Sequence, residues 1–287
     1  MRSKWLLIIL LILSACSSIK IPECPQAKID ADNQLRFASQ LESTKDYSAA
    51  GESYNFLLNS YRSFADVKGM LNCLSGLARI ALEENDDKAY LEKRMQMAEL
   101  IQTSANELNY YLLLLDIYYY QRENDLVAIS EKAIITKDLP WEVSVNLATA
   151  KLQADSFLGT TTGKQVQELN TLSNKLKKQL KKGKNANNEL LSSAWYALAY
   201  YYFRNSNYKN AYAFAHKAQE LDYRYGNFSG MAHCLWLKGQ IAFAENKISE
   251  AQSNWKKAEG IFISLNDTQA LQKLRQDINK LPQEQMK

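Results

Sequence analysis

The chain contains little proline or glycine, and this scarcity argues against loop-rich and β-rich architectures. Its 287 residues include four prolines and ten glycines, and Pro140 is the only proline between Pro25 and Pro282. The alternation of apolar and polar residues that marks half-buried β-strands is essentially missing. Alanine, leucine, lysine, glutamate and glutamine dominate, and these residues favour helix. The composition therefore predicts an all-α fold.

Residues that carry catalysis or hold metal ions are also few. The chain has two histidines, His216 and His233, and His233 directly precedes Cys234, so the two side chains would point about 100° apart on a helix. The sequence has no glycine-rich phosphate loop, no G-x-S-x-G and no H-E-x-x-H. The paired acids Glu83-Glu84 and Asp86-Asp87 fit a solvated helix end and turn. We therefore expect no enzyme activity, no metal site and no cofactor.

Neither sign of charge is in large excess. The chain has 35 Lys and Arg residues against 31 Asp and Glu residues. Arg2 and Lys4 lie in the segment that we interpret below as a signal peptide, and their removal leaves 33 basic residues. Binding to nucleic acid depends mainly on cations that neutralise phosphates. A nearly neutral body therefore predicts no nucleic-acid partner.

The first sixteen residues have the layout of a secretory signal. Arg2 and Lys4 give a positive start, nine apolar residues follow at 5–13, and small residues lead to Cys16. A membrane-spanning helix needs roughly 20 apolar residues, so this run is too short for a transmembrane anchor. An ordinary signal peptide with an incidental cysteine is the other alternative.

The four residues Leu13-Ser14-Ala15-Cys16 resemble the lipobox of bacterial lipoproteins. The resemblance implies that the signal peptide at 1–15 is removed and that Cys16 becomes the lipidated N-terminus. A diacylglyceryl group with an N-acyl chain would give a stable anchor, which a single acyl chain does not. Ser17, where an aspartate favours retention at the inner membrane, implies export to the outer membrane with the body facing the periplasm.

Three further cysteines, Cys24, Cys73 and Cys234, follow Cys16. The bacterial periplasm is oxidising, so one disulfide can form among them, and one thiol would then stay unpaired. Cys73 and Cys234 lie in apolar helical contexts, where a buried free thiol is the usual outcome. The sequence alone leaves both outcomes open.

The mature chain divides into three predicted parts. Residues 16–30, with Pro22 and Pro25, read as a lipidated N-terminus and tether. Residues 31–281 show helical periodicity that is interrupted at intervals typical of helix pairs, and 282–287 form a short C-terminal tail. The clearest pair covers 193–222. Its two helix faces carry Trp195, Leu198, Ala199 and Tyr202, then Ala211, Ala215, Ala218 and Leu221.

The next pair repeats this pattern at a spacing of 40 residues, as from Tyr202 to Ala242 and from Ala211 to Ala251. The arrangement of small and large residues resembles the tetratricopeptide repeat, whose usual period is about 34. The resemblance implies a right-handed solenoid of about six antiparallel helix pairs, capped by a last helix near 267–281. Earlier pairs match less well, and 141–182 hardly matches. An irregular bundle with two true repeats is the alternative.

In tetratricopeptide arrays the first helix of each pair lines a concave groove. The matching positions in this chain are Tyr110, Tyr120, Tyr196, Tyr200, Phe203, His233, Trp236 and Phe243. Tyrosine and tryptophan provide a large contact area with a polar tip and are enriched in recognition sites. The resemblance thus implies an aromatic groove that binds a protein or peptide. The alternative is that tight curvature buries these rings inside the array.

A run of lysines near 175–184 surrounds an apolar stripe that includes Leu176 and Leu180. The basic face consists of Lys177, Lys178, Lys181 and Lys182. A basic amphipathic helix can lie on anionic lipid or contact an acidic partner. It can equally be a solvated helix face whose lysines lie favourably near the C-terminus.

These observations together predict a lipid-anchored scaffold of the outer membrane that binds a partner protein in the cell envelope. Similar lipoproteins serve in outer-membrane protein insertion, in pilus secretin assembly and in the regulation of peptidoglycan enzymes. The resemblance does not select among these three. One alternative is a glycan- or solute-binding lipoprotein that uses the same groove, and another is a structural or surface-exposed lipoprotein.

Overall fold

The computed structural model describes residues 25–104, 106–182 and 187–280. In these ranges the chain forms thirteen α-helices, one short 3-10 turn at Asn106–Leu108 and no β-strand. The helices are α1 (Gln26–Ser43), α2 (Tyr47–Ser63), α3 (Val67–Glu83), α4 (Asp87–Ser104), α5 (Tyr110–Arg122), α6 (Leu126–Lys132), α7 (Trp141–Leu158), α8 (Gly163–Lys181), α9 (Asn188–Arg204), α10 (Tyr208–Tyr225), α11 (Phe228–Ala244), α12 (Ile248–Ser264) and α13 (Thr268–Ile278). The all-α prediction is confirmed for this part of the chain.

Each helix packs mainly against its neighbours along the chain. Successive helices are in contact from α1 to α13, and α1, α3, α5, α7, α9 and α11 also contact one another in order. The odd-numbered helices therefore form one layer and the even-numbered helices a second. This arrangement of six consecutive pairs and a last helix is consistent with a helical-repeat solenoid.

The turns between helices recur every 20 residues in both halves of the chain. A residue with positive φ occupies positions 45, 65 and 85, and again positions 206, 226, 246 and 266. Such a conformation tightens the turn and is most accessible to glycine and asparagine. A side chain then caps the next helix, as when Asp66 accepts from the Gly69 amide and Asn207 from the Asn210 amide. Helices of 17 or 18 residues with short turns thus produce the 40-residue pair.

Large side chains of one helix enter gaps left by glycine on its neighbour. The rings of Tyr54 and Tyr61 on α2 lie against Gly76 and Gly69 on α3, and Trp255 on α12 lies against Gly239 on α11. All three rings are almost completely buried. The packing of large against small residues that the sequence predicts is therefore present at both ends of the array.

The middle of the array is less regular. Helix α6 has only seven residues, and 133–140 continue without an α-helix until Pro140 precedes α7. The loop between α7 and α8 begins at Gly159 in a left-handed conformation, and Thr162 caps α8 in a capping box with Gln165. Residues 141–182 therefore form a helix pair even though repeat residues are hard to recognise there.

The two ends of the array meet. The ammonium group of Lys45, in the turn after α1, lies 2.8 Å from the carboxylate of Asp267, in the turn before α13. The first pair and the last helix are thus neighbours in space, so the array curves back on itself. The odd-numbered helices that follow α3 face an inner cavity, described below.

The N-terminal boundary differs from the prediction. The tether was expected to extend to residue 30, but α1 begins at Gln26, directly after Pro25. Proline is tolerated at the start of a helix because the first amides have no partner within the helix. The signal peptide at 1–15, the lipidation site Cys16, Cys24 and the tail at 282–287 lie outside the described residues. Among the residues described, no helix combines the length and apolarity needed to span a bilayer.

Candidate functional site

The largest described cavity, of about 800 Å³, lies on the inner face of the array. Its walls come from the end of α5 and from α6, α7, α9, α11 and α13, together with the turns beside them. This volume falls within the range of small-molecule and peptide pockets. The inner cavity therefore lies where the layered arrangement of helix pairs leaves a concave surface.

Four of the eight predicted groove residues line this inner cavity. They are Tyr196 and Tyr200 on α9, and His233 and Trp236 on α11. The His233 ring lies 6.4 Å from that of Tyr196 and 6.1 Å from that of Trp236, measured between centroids. All four side chains are half-buried, so each presents part of its surface to the cavity.

The other four predicted residues lie outside the cavity lining. Phe203 and Phe243 lie further along α9 and α11, where they pack on Tyr208 and Trp255 at centroid distances of 6.3 and 5.7 Å. On α5, Tyr110 stacks on Tyr111 and Tyr120 packs edge-on against Tyr119. These four rings are half-buried and mainly contact neighbouring rings.

Hydrogen-bonded carboxylates occupy the corresponding region of the N-terminal pairs. Arg79 on α3 donates to both carboxylate oxygens of Glu42 on α1 at 2.6 and 2.8 Å, and the Tyr54 hydroxyl donates to Glu42 at 2.7 Å. The Tyr118 hydroxyl on α5 donates to Glu83 at 2.7 Å. This network ties α1, α3 and α5 together, so the aromatic cavity is confined to the later pairs.

Phe157 on α7 is a cavity residue that the sequence reasoning missed. Its ring stacks on Tyr200 with a centroid distance of 4.6 Å, and 52% of the residue surface is exposed. Phe157 lies 43 residues before Tyr200, as Gln153 lies 43 before Tyr196, whereas the later pairs repeat at 40. An offset of 43 at this junction would have identified both residues.

Amide side chains supply much of the polar surface of the inner cavity. They come from every wall and consist of Gln121, Asn124, Gln153, Asn227, Gln240, Gln269 and Gln276. Each amide offers both a donor and an acceptor, so the lining can bind neutral polar groups such as peptide bonds or sugar hydroxyls.

Three carboxylates add charge to the wall. Asp277 accepts from the Trp236 indole and from Gln240 at 2.7 Å each, and from Lys280. Burial works to raise its pKa, but these donors outweigh burial and the pKa is lowered. The same balance lowers the pKa of Asp267, where burial is outweighed by Lys45 and the Ala270 amide. Both groups are therefore ionised and already hydrogen-bonded.

Asp222 behaves differently because it has no cationic partner among the described residues. It accepts from Asn227 at 2.9 Å and lies 3.9 Å from the Cys234 thiol. Burial raises the pKa of Asp222 to about 6, although hydrogen bonds from Ser192 and Asn227 lower it. Burial likewise raises the pKa of the Cys234 thiol. This environment suppresses the thiolate that a cysteine nucleophile requires.

The remaining polar residues singled out from the sequence lie apart from the cavity. Cys73 and Cys234 are both buried free thiols. His216, on α10, is exposed 3.9 Å from Glu220. The basic face of Lys177, Lys178, Lys181 and Lys182 is exposed near the end of α8. Within the described ranges, no group of three or more His, Cys, Asp or Glu side chains is placed to hold a metal ion.

The fold and the cavity together define an all-helical, repeat-like protein with a partly aromatic, amide-rich inner cavity. Comparison with known proteins names no family: no protein-family model matches the chain, and no curated protein matches it significantly.

Proposed function

We propose that this chain is an outer-membrane lipoprotein whose helical array binds a segment of a partner protein in the inner cavity. The lipid on Cys16 anchors the protein, and the body faces the periplasm. The array itself is a right-handed solenoid of tetratricopeptide type with helices longer than usual. Its role is non-covalent: it holds a partner during envelope assembly, in outer-membrane protein insertion, in pilus or secretion assembly, or in the regulation of peptidoglycan enzymes.

The single observation that carries the proposal is the position of the exposed rings. Tyr196, Tyr200 and Trp236 converge on one inner cavity with Phe157, although they come from three different helices. Rings that were needed only for packing would be buried, whereas Phe157 is half exposed. Clustered aromatic residues in a concave site are typical of binding hot spots.

The repeat assignment is supported by the turns and by the packing of large against small residues. Seven turns with the same backbone conformation at 20-residue spacing indicate one structural unit used repeatedly. Glycines that receive a neighbouring ring, such as Gly76 and Gly239, play the part of the small repeat residues. Helices of about 17 residues account for a period of 40 instead of about 34.

A second candidate function is the binding of a glycan or polar solute in the same inner cavity. The amide-rich wall favours it, because sugar hydroxyls pair well with side chains that both donate and accept. The half-exposed rings of Phe157 and Tyr200 would then provide a stacking surface. We rank the protein partner first because the lining extends across several helix pairs, as an extended segment requires.

Binding is tested with the full-length lipidated protein and the double variant Phe157→Ala, Tyr200→Ala. Captured partners are quantified by mass spectrometry after mild solubilisation of the envelope. We expect the variant to lose at least about tenfold of the specific partner, since paired hot-spot residues cost roughly 2 kcal/mol or more. Tyr212→Ala, Tyr223→Ala is the matched control, because both rings are exposed outside the cavity.

The outcome separates the two candidates. Equal capture by both folded variants would rule out the inner cavity as the site for a protein partner. If peptidoglycan fragments change the tryptophan fluorescence of the wild type but not of the Phe157, Tyr200 variant, the glycan reading replaces the first. Helical content by circular dichroism checks that each variant is folded.

Anchoring is tested separately at Cys16. The full chain should incorporate an alkyne-labelled fatty acid and fractionate with the outer membrane. Cys16→Ser should lose the label, whereas Cys24→Ser should keep it. Labelling that persists in Cys16→Ser would contradict the lipidation proposal.

A further inference from the structure

A second recess, the basic cleft, lies between the C-terminal ends of α8 and α10 and the N-terminal half of α9. Its volume is about 420 Å³. Four cations line it, Lys177 and Lys181 from α8 and Lys217 and Arg224 from α10, against a single carboxylate, Glu220. The basic run noted in the sequence therefore continues onto a neighbouring helix.

These four cations are not neutralised by the rest of the described chain. None of them is in an ion pair with an acidic side chain in the described ranges. Lys177 instead lies over the Trp195 ring at 5.7 Å, and Lys217 over the Phe214 ring at 4.7 Å. Elsewhere on the array, cations such as Arg79 and Arg94 do pair with carboxylates.

Helix dipoles do not account for this excess of positive charge. The C-termini of α8 and α10 each contribute roughly half a negative elementary charge. Together with Glu220, they offset about two of the four positive charges. The cleft therefore retains about two units of positive charge, enough to attract an anion.

Apolar and aromatic surface adjoins the cations. Leu180 and Leu221 lie in the wall, and Tyr225 at its rim has 56% of its surface exposed. Tyr223 and Phe228, on either side of the same turn, are exposed as well. Exposed aromatic residues beside lysine and arginine are typical of protein surfaces at the level of lipid headgroups.

We propose that the basic cleft binds the phosphate of an anionic phospholipid headgroup and thereby fixes the orientation of the array at the membrane. The choice of a lipid over an acidic protein rests on the proposed anchor at Cys16, which keeps the array close to a bilayer and raises the local headgroup concentration. Tyr225 and its neighbours contact the interface around the bound headgroup.

The test uses the full-length lipidated protein reconstituted into vesicles, with amide hydrogen exchange as the readout. One set of vesicles contains phosphatidylcholine alone, and the other contains phosphatidylcholine with 30% phosphatidylglycerol. We expect peptides covering 175–182 and 217–228 to exchange about tenfold more slowly on the anionic vesicles. High salt should remove the difference, because screening weakens exposed charge interactions.

The cleft variant is Lys177→Gln, Lys181→Gln, Lys217→Gln, Arg224→Gln, and we expect it to lose the anionic protection. The matched control, Lys68→Gln, Lys88→Gln, Lys256→Gln, Lys257→Gln, removes four positive charges from exposed positions outside the cleft and should keep it. Equal protection on both kinds of vesicle, or its persistence in the cleft variant, would overturn the proposal. Protection by soluble polyglutamate but not by anionic vesicles would overturn it in favour of an acidic protein.

The same experiment distinguishes failure of this proposal from failure of the proposed function. A chain without a lipid anchor would not reconstitute into vesicles of either composition. An anchored chain whose cleft exchanges at the same rate on both compositions would contradict the headgroup site alone.

Discussion

At the scale of single residues, Gly239 decides how closely α11 and α12 approach. A Cβ atom at this position would lie 2.2 Å from the indole nitrogen of Trp255, which itself donates to the Trp236 carbonyl at 3.1 Å. Gly239→Ala must therefore displace a buried ring, and we expect a loss of about 1–3 kcal/mol in the free energy of unfolding. Urea denaturation of the folded chain measures this loss.

Gly260 on α12 provides the matched control. Nothing lies within 4 Å of a Cβ atom built there. Gly260→Ala should therefore stabilise the protein by roughly 0.5–1 kcal/mol, because alanine loses less backbone entropy in a helix. Similar effects of the two substitutions would contradict the close approach at Trp255.

Asp222 should make stability depend on pH. Its pKa is about 6 in the folded protein, above the ordinary value of 3.8, so the folded state holds this proton more tightly than the unfolded state. The stabilisation is fully present below about pH 4 and is lost as the pH rises through 6, by about 3 kcal/mol in total. Asp222→Asn removes this titration, so its unfolding free energy should fall less between pH 4 and pH 7.

The measurement is urea unfolding at several pH values. The exposed Asp138, changed to asparagine, provides a control whose profile should run parallel to that of the wild type. A parallel profile for Asp222→Asn as well would show that another group is responsible for the dependence.

At the scale of helices and turns, the left-handed residue is the recurrent feature. Asn246 joins α11 to α12 with a φ of 60° and is exposed. Asn246→Val places a β-branched side chain in this conformation, so we expect a loss of roughly 1–2 kcal/mol. Asn246→Gly should change the thermal midpoint little by comparison. Equal midpoints for the valine and glycine variants would contradict the conformational argument.

Local patterns predicted the helix pairs well because each pair is specified locally. The 40-residue spacing from Ala211 to Ala251, with polar turns between helices, was enough to place α9 to α12. The start of α1 was placed five residues too late, because Pro25 was treated as part of a tether although proline is compatible with a helix start. Phe157 was missed because the α7–α8 loop changes the spacing from 40 to 43.

The division of the predicted groove could not be read from the sequence. Tyr196 and Phe203 lie on the same helix, but only Tyr196 lines the inner cavity. Which ring faces a neighbour and which faces the cavity depends on how each pair is rotated against the next. That rotation results from many side-chain contacts across pairs, and helical periodicity does not encode it.

At the scale of the whole molecule, the ion pair between Lys45 and Asp267 joins the ends of the array. Both side chains are partly exposed, so we assign the pair at most about 1 kcal/mol, which salt screens. Lys45→Asn removes it while keeping a residue that tolerates the φ of 63° at this turn. We expect a larger radius of gyration by small-angle scattering and a loss of its salt dependence.

Lys256→Asn is the control for this variant, because Lys256 is exposed on α12 and forms no ion pair in the described ranges. Its scattering should match that of the wild type at every salt concentration. A Lys45→Asn variant that also keeps the wild-type profile would show that packing alone holds the ends together.

The meeting of the two ends also limits how this architecture can change in length. Repeat proteins commonly gain or lose whole units by duplication or deletion within the gene, because each unit contacts only its neighbours. Here an inserted pair would carry Asp267 away from Lys45, and a deleted pair would force the ends to collide. The number of pairs is thus coupled to the curvature at every junction, and variation among related chains should fall in turns and side chains and spare the repeat count.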